Sequence, residues 1–231
     1  MKLQENNFFR FFKVLLLFVL YILNNFIIYM VFSKIGINNS ILMIFIADLI
    51  FLFISVLLYK KDLMIDFYKL KKNYNIKKII KIIIKNLILI FCINIIISFI
   101  ASFFTGDIEE LNSIQNLVNE SIPYLIFKSL IFSPIAETIL FQKSIKSITN
   151  SKVLYMLSST LIFVLMNIAY MDFSSCFFIF DIIGYFSMAL VFSYMYIKND
   201  NIFPIMITKF LYNIIPLVAN ILMGVIKWLI I

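Results

Sequence analysis

The stretch SPIAETILFQKSI, Ser133 to Ile145, sets one carboxylate, Glu137, among isoleucine, leucine and phenylalanine. Four further ionisable groups stand inside long apolar runs: Asp48, Lys128, Asp181 and Lys209. A charge in hydrocarbon is costly unless it has a partner or a wet cavity, so each of these residues needs a reason to be there. A carboxylate in a low-dielectric cavity holds a proton more tightly than in water and can serve as a general base. Proton relay and ion transport are other uses of such a set, and salt bridges between helices are the structural alternative. Counted at about 1.5 Å per residue, Asp48, Lys128 and Asp181 lie about five to eight residues from the outer ends of their runs. Glu137 and Lys209 lie about five to seven residues from the inner ends on the same count. An outer Asp/Lys/Asp layer and an inner Glu/Lys pair are therefore expected.

What is missing narrows the chemistry. The chain has no histidine, which removes the commonest ligand of catalytic zinc and the commonest neutral-pH general base. Cys92 and Cys176 stand alone in separate runs with no CxxC, so structural burial is expected of both. There is no glycine-rich phosphate loop. No metal and no cofactor are expected.

These residues must be positioned by membrane helices. Of 231 residues, 63% are hydrophobic and only 14% charged, and mean hydropathy is +1.04. No soluble core could hide that much apolar side chain, so the solvent is bilayer. Runs long enough to cross hydrocarbon occur near Val14–Ser33, Ile41–Tyr59, Asn86–Phe104, Ser121–Gln142, Val153–Met171, Cys176–Ile197 and Ile202–Ala219. Ile221–Ile231 is a shorter candidate for an eighth. The runs lack the period-2 alternation of barrel strands, so the expected fold is all-α: a polytopic helical bundle of seven or eight transmembrane helices in one domain, residues 1–231. The first run could instead be a signal peptide, but it has no small-residue cleavage site. Four glycines in the whole chain argue against broken-helix transporter architecture.

Lysines set the orientation. Lys60–Lys85 carries nine lysines and two aspartates, whereas Gly106–Glu120 carries four acids and no base. The positive-inside rule makes the first a basic cytoplasmic loop and puts the second outside, with the N-terminus cytoplasmic. The formal charge of +8 is thus a topology signal, and nucleic-acid binding is not expected because the lysines flank spans without any reading module. Residues 60–85 read either as a solvated linker or as an amphipathic segment on anionic lipid.

Three polar positions on successive runs carry a resemblance. The first is Pro134-Ile-Ala-Glu137-Thr138-Ile-Leu-Phe141-Gln142, the second Phe163-Val-Leu-Met-Asn167, and the third Lys209-Phe-Leu-Tyr-Asn213, with Pro204 five residues ahead of Lys209. In frame, order and flanking residues this resembles the CPBP family, the CAAX-protease and bacteriocin-processing intramembrane proteases also called Abi proteins. Their motifs are Glu-Glu-x-x-x-Arg, then Phe-x-x-x-His, then His-x-x-x-Asn. The resemblance covers residues 121–216. Glu137 and Asn213 match; Thr138 stands for the second Glu, Gln142 for Arg, Asn167 for the first His and Lys209 for the second.

The resemblance implies a CPBP-type bundle with a peptidase site facing the cytoplasm. In such a site the first Glu activates water, the first His assists, and the second His with the Asn binds the developing oxyanion. The catalytic positions carried over are Glu137, Asn167, Lys209 and Asn213, supported by Thr138 and Gln142. Two readings of the departures stay open. A lysine opposite Glu137 would occupy the carboxylate and give both groups the partner that burial demands, leaving an inactive site. Alternatively Lys209 is a cationic oxyanion donor beside Asn213, and Glu137 remains the base. One glutamate and two asparagines would make a poor zinc site. The first reading implies a non-catalytic protein of bacteriocin self-immunity or membrane-protein binding, the second an active intramembrane endopeptidase; a small transport component is the rival outside the family. The partners implied are membrane lipid and a peptide, bacteriocin or prenylated protein segment, in a multi-pass protein of the cell membrane.

Overall fold

Chains in hydrocarbon must satisfy their backbone groups internally, and this one does so with helices alone among its described residues. The computed structural model describes residues 7–36, 39–105, 121–169 and 178–230. They form α1 (Asn7–Lys34), α2 (Ser40–Asn73), α3 (Ile76–Thr105), α4 (Ile122–Ile148), α5 (Lys152–Ile168), α6 (Phe178–Asn199) and α7 (Phe203–Ile230). Helices α1, α2, α3, α4 and α6 are long and apolar enough to cross a membrane, and α5 and the first part of α7 are shorter apolar helices. The chain is a polytopic helical membrane bundle.

Local sequence sets the helix ends. Gly36, at φ 82, follows α1 in the left-handed conformation that glycine adopts without a Cβ clash. Asn39 caps α2 by accepting from the Leu42 N–H at 3.0 Å, and Asn201 Oδ1 accepts from the Phe203 N–H at 3.0 Å to start α7. Pro123 sits in the first turn of α4, where its missing N–H costs nothing.

Two features differ from a reading of hydropathy. The segment Ile221–Ile231 is no separate eighth helix: α7 continues through Pro216 to Ile230, because one proline removes one hydrogen bond and bends a helix without having to end it. The basic stretch Lys60–Lys85 is two helix ends, since α2 runs to Asn73 and α3 begins at Ile76. The Tyr74 N–H closes the turn by donating to Leu70 O at 3.2 Å.

Helix α4 is the centre of the bundle. Half of its apolar span is buried inside the protein, against 28% or less for the other long spans. It packs on α7, α2 and α1, while α5 pairs with α6 and α3 leans on α6 and α7. Phe141 of α4 anchors the core, with edge-to-face contacts to Tyr21 at 5.9 Å, Phe18 at 6.2 Å and Phe163 at 5.1 Å. At one end of the bundle a polar clasp joins α2 to α4 and to the α6–α7 turn. Lys143 Nζ lies 2.6 Å from Asp66 Oδ2, and Asn201 Nδ2 donates to Asp66 O at 2.6 Å. Lys69 Nζ pairs with Asp200 Oδ2 at 2.6 Å, and the Tyr74 hydroxyl donates to Asn199 O at 2.7 Å.

Candidate functional site

The site starts from an irregularity in α4. Between Lys128 and Ser144 the helix widens into π-helical turns, Lys128–Glu137 and then Ile139–Ser144. Such turns bond each N–H to the carbonyl five residues earlier and occur often at functional sites. Pro134 lies inside the first of them and has no N–H to give. The carbonyl that would have received it in this register belongs to Ser129. Asn213 of α7 supplies the replacement, its Nδ2 donating to Ser129 O at 2.8 Å. The amide thus fills a vacancy that the proline creates, and it fixes the register of α7 against α4.

That register brings Lys209 opposite Glu137. Lys209 Nζ lies 2.5 Å from Glu137 Oε2, and the Ser133 hydroxyl donates to the same oxygen at 2.8 Å. Both side chains are withdrawn from solvent, Lys209 at 5% exposure and Glu137 at 16%. Lys209 Nζ also sits 5.2 Å from the centre of the Phe163 ring, so the cation meets a carboxylate and a π face. Phe163 in turn leans on Phe141. Of the two phenylalanines of the motif frame, Phe163 thus meets the pair directly and Phe141 backs Phe163.

The remaining motif positions do not converge on Glu137. Asn167 Nδ2 donates to Phe163 O at 2.8 Å, one turn back on its own helix. Thr138 is fully buried and its hydroxyl has no hydrogen-bond partner among the described residues. Gln142 is buried at 2% exposure. Among the described residues no hydrogen bond joins either of them to Glu137.

Of the charges expected in an outer layer, Asp48 and Lys128 both meet Tyr124 of α4. The Tyr124 hydroxyl donates to Asp48 Oδ2 at 3.0 Å, and Lys128 Nζ lies 5.4 Å from the centre of the Tyr124 ring. Asp48 is within electrostatic reach of both Lys128 and Glu137. Tyr185 of α6 is within reach of Glu137, Asp181 and Tyr212, and Asn94 of α3 donates to the Tyr212 hydroxyl at 2.7 Å. Polar side chains thus meet between α2 and α4 at Asp48 and Tyr124, and between α3 and α7 at Asn94 and Tyr212.

Sequence reasoning missed Ser133 and the Asp66–Lys143 pair. Ser133 was findable, since four residues separate it from Glu137 and place both on one helix face. Asp66 carried no such signal in a lysine-rich stretch. Burial of Cys92 was expected, but Cys92 is exposed on α3, because the face of α3 that packs on α6 and α7 is the one bearing Ile83, Asn86 and Ile90. Cys176 lies outside the described residues. No three His, Cys, Asp or Glu side chains among the described residues come together as a metal site. With its one carboxylate bonded to lysine, the donor set around Glu137 does not suit zinc.

The paired carboxylate thus lies on α4, with its lysine partner from α7 and the Phe163 ring of α5 beside that lysine. Residues 119–215, less than half of the chain, match the family model of the type II CAAX prenyl endopeptidase Rce1-like proteins, so this stretch is similar to that family. Neither the curated proteins nor the solved structures yield a match.

Proposed function

We propose that this chain is a non-catalytic CAAX-protease-like protein that binds a membrane-associated peptide or protein segment without cutting it. The observation that supports this reading is the ion pair between Lys209 and Glu137 at 2.5 Å, reinforced by Ser133 on the same oxygen. A general base must meet the proton of its water directly, and here two donors already hold one of the two carboxylate oxygens. Neither motif histidine is present to carry a proton, and the amide of Asn167 is engaged with its own helix. The occupant would be a peptide, a bacteriocin or a prenylated segment arriving through the membrane, and its retention would serve self-immunity or the holding of a partner protein. One detail favours the active alternative: both donors fall on Oε2, which leaves Oε1 as the oxygen a water could approach.

The test is a peptidase and binding assay on the full chain in lipid nanodiscs, with a fluorogenic farnesylated peptide. The expected result is saturable binding with no cleavage above that of the Glu137→Gln variant. Cleavage by the natural sequence that disappears in Glu137→Gln would replace this reading with the peptidase.

A further inference from the structure

On the face of α3 turned away from the bundle, two rows of side chains run side by side. Lys77, Lys81 and Lys85 form one row and Ile80, Ile84 and Ile88 the other, and the six line a shallow groove. Four residues advance a helix by slightly more than one turn, so each row climbs the same face, over about 12 Å for eight residues. Each isoleucine follows a lysine by three residues, which sets the apolar row about 60° around the helix from the basic one. The opposite face, carrying Ile83, Asn86 and Ile90, is buried, whereas Ile80, Ile84 and Ile88 are about half exposed. No carboxylate among the described residues pairs with any of the three lysines, although Lys69, Lys143 and Lys209 all have one.

We infer that this face is a binding site for an anionic phospholipid, with the headgroup phosphate between the lysines and an acyl chain along the isoleucines. Charge decides the class of occupant. Three ammonium groups within one helical stretch, with no carboxylate partner among the described residues, repel each other and attract anions. They stand where a membrane-crossing helix leaves the hydrocarbon, which is where a bilayer presents phosphate. A row of isoleucines at the same level is wasted on a free anion but matches the chain that a lipid phosphate carries with it. Lysine stems reach along apolar surface while their heads stay polar, so all three can meet one headgroup plane from different depths.

Native mass spectrometry of the detergent-purified full chain, titrated with phosphatidylglycerol or phosphatidylcholine, tests this. One phosphatidylglycerol should be retained in preference to phosphatidylcholine. A lysine beside an anionic surface contributes about fivefold in affinity, so Lys77→Gln, Lys81→Gln and Lys85→Gln together should weaken binding at least about tenfold. A control removes equal charge from α2, as Lys61→Gln, Lys71→Gln and Lys72→Gln, and should leave the retained lipid in place. Equal loss in the two triple variants would reduce the site to general surface charge and overturn it. Ile80→Ser with Ile84→Ser, which keeps every lysine, should weaken long-chain phosphatidylglycerol and spare its short-chain form. Displacement of the lipid by millimolar inorganic phosphate would overturn the lipid assignment. So would a dimer of this chain that the α3 variant, but not the control, dissolves.

Discussion

At the scale of the residue, Glu137 and Lys209 are each the other's solvent. Removing one partner of a buried pair strands the second, at a cost of about 3–5 kcal/mol where no other group compensates. Glu137→Gln alone should therefore destabilise the protein, toward the lower end of that range because Glu137 keeps some exposure and Ser133 stays as a donor. Lys209→Met alone should do likewise. The double variant should recover much of the loss, since two neutral groups leave no orphan charge. A double-mutant cycle on unfolding midpoints in detergent measures this coupling, and losses that simply add would remove the pair as the reason for either charge. The pairing was readable from two matched depths and two motif positions. Ser133 and Phe163 as its further partners were not read, because spacing says which residues share a face but not which atoms meet across helices.

Elements carry the next level of argument, and the wide turns of α4 are the clearest case. Pro134 deprives Ser129 O of its donor, and Asn213 restores one from another helix. Asn213→Ala should thus cost about 1–3 kcal/mol, toward the lower end because the Ser129 carbonyl left unmet is only partly buried. In a Pro134→Ala background a backbone N–H is available again at residue 134, and the same Asn213→Ala change should cost clearly less. Equal costs in the two backgrounds, read from the same unfolding experiment, would detach the amide from the proline. From the sequence Pro134 was legible only as part of a motif, because helix widening depends on packing against α7 and leaves no periodic trace. The long spans were legible for the opposite reason: apolar length is a local property. The helical continuation of α2 and α3 through the basic stretch was not, since lysine-rich helix and lysine-rich linker look alike in composition.

For the whole molecule the open quantity is direction across the bilayer. With Cys92 and Cys176 replaced by alanine, single cysteines at Glu110 or Gln115 should react with an impermeant maleimide added outside intact cells, and cysteines at Asn73 or Asn75 should not. The reverse pattern would turn the bundle over, and with it the side from which the Glu137 site is reached. The buried ion pairs are properties of the assembled bundle, and assembly takes time. Ribosomes add roughly 5–20 residues per second, and Glu137 precedes Lys209 by 72 residues. The carboxylate is therefore made several seconds before the cation that will hold it, on the order of four to fourteen at those rates. Asp66 likewise waits for Lys143, 77 residues later. During that interval each acid must stay at the water interface, take up a proton or borrow a partner from the insertion machinery. The Glu137 site is thus closed only once α7 has been synthesised, whereas the Asp66 pair is complete as soon as α4 is made.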